Sequence, residues 1–149
     1  MELVHLDKLD IRYEIILEND LNIINLLMQD KDNNYYYLIK KDDKKIIMGN
    51  IAKQINSTKL TLVKNSLMES LLNVKSGFVS IFCLLENKID NLTVLIDSRL
   101  STVNPLLEST DPLWVTFYDL SCSKFIKLKY QDMLKYINSI DLPTYDVIL

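Results

Sequence analysis

Between residues 71 and 100 the chain reads LLNVKSGFVSIFCLLENKIDNLTVLIDSRL, and this run constrains the fold more than any other. A helix end, one glycine and two apolar segments follow one another with no room for a long loop. Residues 79–85 and 92–96 are continuous apolar segments separated by the turn residues ENKIDN. That is the pattern of strands buried on both faces, and it predicts two central antiparallel strands. Just upstream, Ser66 and Glu69 stand at capping-box spacing, which predicts a helix with Leu67, Leu71 and Leu72 on its buried face and an end near residues 73–77.

The flanking sequence supplies further short elements. Leu3, Leu6 and Leu9 recur at helical spacing, residues 12–17 (RYEIIL) read as a strand, and Glu18, Asn19 and Asp20 as the turn after it. Residues 22–28 and 35–39 form two β-like runs around the turn DKDNN, a hairpin. Tyr35, Tyr36 and Tyr37 suit a base-stacking platform, but alternation along a strand turns at least one of them inward, which favours ordinary strand tyrosines. KKDDKK (residues 40–45) reads as a solvated turn, because its opposite charges sit side by side and its net charge is small. Ile47, Ile51, Ala52 and Ile55 mark a helical face, and residues 60–63 a short strand. The prolines and turn formers of residues 101–112 predict a long loop. Strands are expected at 114–117 and 125–130, the latter with one apolar and one partly basic face. A helix carrying Met133, Leu134, Ile137 and Ile140 and a closing strand at 145–149 complete the chain.

At 149 residues, 48% of them hydrophobic and 25% charged, one buried core and one domain over residues 1–149 are expected. Only two glycines occur, Gly49 and Gly77, so no glycine-rich phosphate loop or dinucleotide fingerprint is present. The net charge of −3 argues against binding nucleic acid by bulk electrostatics, although a local basic face is compatible with it. Cys83 and Cys122 carry no CxxC spacing, and His5 is the sole histidine, so neither zinc nor a serine or cysteine hydrolase is supported. His5 reads as a surface or helix-end side chain. No export signal opens the chain and no apolar run reaches the roughly 18–20 residues of a membrane span, so a reduced, cytoplasmic protein without cofactor or metal is expected.

The order and wording of four segments resemble the YbaK and prolyl-tRNA-synthetase-associated editing family. LDKLDIRYEI (residues 6–15) looks like the opening helix and strand around "LGIPYE"; Asn25, Leu26 and Leu27 with DKDNNYYYLI look like the "KNLFL" strand and hairpin. LLNVKSGFVSIFCLLENKIDNLTVLIDSRL is similar to "LLGVKPGSVTPFGLIND…VTVVLDKDL", and FYDLSCSKFIKLKYQDMLKYI to "FHPLTNAATTGLSPEDLLKFL". The resemblance implies a mixed α/β (α+β) domain with a curved, largely antiparallel sheet and surrounding helices. It also implies a pocket for the acylated 3′ end of tRNA, where water attacks an aminoacyl ester held by a lysine and by backbone groups of a glycine loop.

Carried over residue by residue, the resemblance outlines a degenerate pocket of Ile24, Asn25, Gly77, Phe78, Val79, Ser80, Ile81, Tyr118 and Cys122. Asn25 and Gly77 are kept. Ile24 stands where the family has its lysine, Ile81 where the glycine loop has its proline, and Tyr118, Asp119 and Cys122 where the family has its His-Pro and a following Asn. Isoleucine neither donates a hydrogen bond nor stabilises an oxyanion, so no catalytic side chain is assigned. The expected function is binding of tRNA or the translation machinery, with hydrolysis in doubt. An active deacylase with an altered pocket, a ribosome- or synthetase-associated binding module and a small-molecule pocket are the alternatives. Lys31, Lys40 or Lys41 could supply the missing cation. Lys124, Lys127 and Lys129 are candidate phosphate contacts or the solvent face of an edge strand.

Overall fold

The computed structural model describes residues 2–43, 45–100 and 113–149; the loop expected at 101–112 lies outside them. Among the described residues there are two sheets and five α-helices. The chain opens with helix α1 (Glu2–Lys8) and strand β1 (Tyr13–Ile16), then the hairpin of β2 (Ile23–Gln29) and β3 (Tyr35–Lys41). Asp30 builds the hairpin turn by accepting the N–H groups of Asp32 and Asn34 and the Asn34 side-chain amide. Helix α2 (Met48–Gln54), the short β4 (Thr61–Leu62), α3 (Asn65–Leu72) and α4 (Cys83–Glu86) cross over to β5 (Leu92–Asp97). A 3₁₀ turn at Ser98–Leu100, strands β6 (Trp114–Tyr118) and β7 (Phe125–Lys129), helix α5 (Tyr130–Ser139) and strand β8 (Thr144–Val147) follow.

The larger sheet has the order β4-β2-β3-β5-β8 and the smaller β1-β7-β6. Four of the six ladders are antiparallel, as expected; β5 runs parallel to both β3 and β8, not antiparallel. Strand alternation divides the larger sheet between two cores. Ile23, Leu27, Tyr37, Ile39, Val94 and Ile96 face the main core, shared with the smaller sheet, α3 and α5. Met28, Leu38 and Leu95 face a second cluster with Ile51 of α2. Burial on both faces explains the unbroken apolar run of β5.

Four sequence expectations are overturned. Residues 79–85 are not a strand: successive i→i+3 bonds from Cys83, Leu84 and Leu85 to the carbonyls of Ser80, Ile81 and Phe82 wind them into turns leading to α4. The Ser80 hydroxyl starts this winding by accepting the Phe82 N–H, and a fully buried apolar run carries no period to tell helix from strand. The capping box at Ser66 does not form. Helix α3 begins two residues earlier, its N-cap Lys64 makes no side-chain cap, and Glu69 instead accepts the Ser76 N–H. On its buried face Met68 stands in for Leu67, which is exposed. Finally, Lys40 and Lys41 belong to β3, with Lys40 buried and its amine donating to the Lys41 carbonyl at 2.6 Å, so the solvated turn begins only at Asp42.

Candidate functional site

A cleft of about 680 Å³ lies along the outer edge of β2, within the size range of ligand pockets. Its floor is β2. Regular pairing of β4 with β2 stops at Met28, and one further bond joins the Val63 N–H to the Leu27 carbonyl; among the described residues no strand lies beside the edge from Ile23 to Leu26, and the cleft occupies that place. One wall is Leu62, Val63, Asn65 and Met68, where the chain leaves β4 and enters α3; the opposite rim holds Asn19, Leu21 and Asp42. Ser76, Gly77, Val79 and Tyr118 close the end.

Asn25 is the polar centre of the floor. It lies on the main-core side of β2 between the buried Ile23 and Leu27, and its Oδ1 accepts the Tyr37 hydroxyl at 2.8 Å. Tyr37 is fully buried, and burial holds its phenol well above the ordinary value, so the O–H stays protonated and always donates. With the oxygen taken, the Asn25 amide N–H₂ is the end left for the cleft.

The closing loop rests on backbone geometry. Helix α3 ends with Asn73 in the left-handed conformation (φ 53°), a common helix stop. Gly77 then adopts φ 92°, which L side chains rarely take. This turn brings Phe78 edge-on against Tyr118, ring centroids 5.0 Å apart, and Tyr118 in turn contacts Phe125 at 4.8 Å. The end wall is therefore an aromatic stack held by one glycine.

Of the residues singled out in the sequence, Ile24, Asn25, Gly77, Val79 and Tyr118 line the cleft. Phe78 supports the wall from behind. Ser80 and Ile81 are fully buried, Ile81 in the main core. Cys122 sits at φ 60° in a loop organised by Asp119, whose carboxylate accepts the Ser123 and Lys124 N–H groups and the Ser121 hydroxyl. Burial raises both thiols, Cys83 and Cys122, so neither is an activated nucleophile. His5 is remote from the cleft in contact: its Nε2 lies 2.7 Å from the Ser139 hydroxyl and its ring meets Tyr136 edge-on.

No lysine, arginine or histidine lines the cleft among the described residues. Lys40 is the cross-strand partner of Ile24, but its amine is turned to the Lys41 carbonyl; Lys31 belongs to the hairpin turn, its N–H on the Thr58 hydroxyl. Among the described residues no group of three His, Cys, Asp or Glu stands together to hold a metal, and no helix is long and apolar enough to cross a membrane. The residues that sequence reasoning missed are Ile23, Leu26 and Leu27 beside the predicted Ile24 and Asn25, and Asn19, Leu21, Asp42, Leu62, Val63, Asn65, Met68 and Ser76. Those outside β2 come from four separate segments, so no local pattern marks them.

Lys127 and Lys129 share one face of β7 with the facing Trp114 of β6, their amines 5.7 and 5.9 Å from its ring centre. Asn22 joins this patch to the cleft, donating to the Trp114 carbonyl (2.9 Å) and accepting the Thr116 N–H (3.4 Å). Lys127 also reaches Asp20 at 3.6 Å. Lys124 closes the Asp119 loop, its N–H donating to the Asp119 carboxylate at 3.2 Å, and does not line the cleft.

The model of the aminoacyl-tRNA editing domain matches residues 18–107, more than half of the chain and a span holding most of the cleft. The chain belongs to the aminoacyl-tRNA editing domain family. Solved structures agree on the fold of this editing-domain chain. Hypothetical protein APE2540 superposes with a TM-score of 0.69 at 12% identity, over 98% of this chain and 97% of that one. A candidate trans-editing enzyme for prolyl-tRNA synthetase gives 0.62 at 8% identity, covering 97% and 92%. A candidate signal transduction protein from Marinobacter aquaeolei VT8 gives 0.61 at 8% identity, with 98% of this chain on 30% of that longer one. No curated protein sequence matches.

Proposed function

We propose that this editing-domain protein binds the acylated 3′ end of a tRNA in the cleft beside β2 and hydrolyses the ester weakly or not at all. One observation carries the reading: the cleft is open and ligand-sized and keeps Asn25 and Gly77, yet no cation or imidazole lines it among the described residues. Open volume supports binding. Attack on an ester builds negative charge on the carbonyl oxygen, and loss of one positioned donor to such an oxyanion costs on the order of 10²–10³ in rate. Ile24 offers no donor there.

The basic patch supports the tRNA part of the reading. Trp114 between Lys127 and Lys129 combines a stacking face with two phosphate-directed charges, next to the rim at Asn22.

The test is a panel of mischarged tRNAs, each measured for binding and for single-turnover deacylation. The expected result is saturable binding that favours acylated over bare tRNA, with hydrolysis within about tenfold of the spontaneous rate. Deacylation a hundredfold above spontaneous would overturn the non-catalytic part; absence of binding would overturn the whole.

A further inference from the structure

The smaller sheet has two unlike faces. Val115, Phe117, Ile126 and Leu128 alternate into the main core. The residues between them share the opposite face, where the ladder sets Tyr118 against Phe125, Thr116 against Lys127 and Trp114 against Lys129. Phe78 packs on Tyr118 at one end of this face, and Thr116 in the middle is buried. The Trp114 and Lys129 row at the other end is half-exposed, and Trp114 meets no other aromatic ring among the described residues.

The charges around Trp114 do not cancel. Lys127 is balanced in part, by Asp20 at 3.6 Å and by Glu14 opposite it on β1. Lys129 forms no ion pair among the described residues, and although it stands at the N-cap of α5 its side chain makes no cap hydrogen bond. Arg12 directly precedes Tyr13, the partner of Leu128, so it comes to the register position beside Lys129, and it is exposed. An indole ring is thus bordered by three cations and has only one partly neutralised among them. A flat, apolar ring face with cationic donors at its border fits a base and the phosphates that flank it. An exposed cation–π contact is weaker than stacking of a base on an aromatic ring, so a base takes the ring and the amines turn outward to phosphate.

We infer that this face is a single-stranded nucleic-acid site separate from the cleft, with a base on Trp114 and the neighbouring phosphates on Lys127, Lys129 and Arg12. Trp114 does not line the cleft, so the site requires neither an aminoacyl group nor a 3′ terminus and goes beyond the reading of the cleft. Every base has a π face, which makes the site tolerant of sequence. A duplex is disfavoured, because its bases are already stacked on one another.

Trp114 is the only tryptophan of the chain, so its fluorescence reports the site directly. The probes are hexa-adenylate RNA with a free 3′-hydroxyl, the same RNA closed by a 3′-phosphate, and hexaglutamate, titrated into wild type, Lys129→Glu and Arg12→Glu, with anisotropy of labelled RNA as the second readout. The expected result is saturable quenching by both RNAs, with dissociation constants within threefold of each other. The slope of log K against log salt is expected to be about −2, from three phosphate contacts at about −0.7 each. Each variant is expected to bind at least tenfold more weakly at an unchanged melting temperature. Binding that needs the free 3′-hydroxyl assigns the RNA to the cleft and overturns a separate site while leaving the reading of the cleft standing. Hexaglutamate bound as tightly as RNA, or RNA bound without quenching, overturns the stacking on Trp114. Failure of both RNAs to bind, or undiminished affinity in both variants, overturns the site altogether.

Discussion

Tyr37 has one hydroxyl and directs it at Asn25, so a buried core residue sets which end of a cleft-floor amide meets the ligand. Tyr37→Phe keeps the ring and its packing but frees Oδ1, and the amide can then rotate. Ligand affinity is expected to fall about 5–10-fold, the value of one neutral hydrogen bond near 1–1.5 kcal/mol, while Asn25→Ala gives at least as large a loss. Calorimetric titration of both variants checks it, and unchanged affinity in Tyr37→Phe would remove the positioning role. A second residue-scale case is Asp97, fully buried at the end of β5. Burial pushes its carboxyl up, but hydrogen bonds from the Arg99 guanidinium and from the Lys41 and Arg99 N–H groups outweigh that and hold it below the ordinary value. A carboxyl lowered in the folded state stabilises above its unfolded pKa near 4 and loses that stabilisation as pH falls through the folded value. Arg99→Ala leaves the carboxylate buried without its cation and is expected to cost about 3 kcal/mol at pH 7. Below about pH 4 the difference from wild type shrinks, which urea unfolding at pH 7 and pH 3.5 measures.

Short amphipathic elements show their identity locally, and one fully apolar element does not. Helix α5 carries helical spacing because it has one wet side, whereas the β2–β3 hairpin, buried on both faces, is marked by the polar turn between its two apolar runs. Residues 79–85 have neither, so only the Ser80 hydroxyl and the turn bonds it starts reveal the winding. Gly77 was legible as a single glycine in a crowded run, and its φ of 92° gives the reason. An added Cβ would touch nothing within 4 Å, so the penalty of Gly77→Ala is conformational: about 1–2 kcal/mol of stability. Because Phe78 follows directly, the Tyr118 wall is expected to shift and ligand affinity to drop further than the stability loss alone implies. Melting curves with and without ligand separate the two effects. The strand pair β6–β7 carries its own prediction. If Lys127 and Lys129 meet phosphates of a single-stranded 3′ end, Lys127→Gln with Lys129→Gln lowers the slope of log K against log salt by about 1.4. A binding isotherm series between low and moderate salt reads it, and an unchanged slope would assign both lysines to the solvent face.

At the scale of the whole molecule, the cleft is a place where segments distant in sequence converge, which is why so little of it could be read from the chain. Asn25 and Gly77 lie inside recognisable patterns. Asp42 lay within KKDDKK, where opposite charges sit side by side; folding separates them by burying Lys40, pairing Asp43 with Arg99 and leaving Asp42 on the rim. Asn22 is the other product of convergence, since its side chain ties the start of β2 in the larger sheet to β6 in the smaller one. Thr116 is buried, so without Asn22 its N–H faces the interior edge with no acceptor in place of Oδ1. Leaving a buried donor unmade costs about 1–3 kcal/mol. Asn22→Ala is expected to lose that much stability, to speed amide exchange at Thr116, and to weaken ligand binding, because the rim of Asn19 and Leu21 is anchored by the same side chain. Asn22→Asp keeps the acceptor for Thr116 and loses the donor to Trp114. It should preserve Thr116 protection while still loosening the rim, so exchange and binding come apart in the two variants if the bracket acts through two separate bonds, and fall together if it does not.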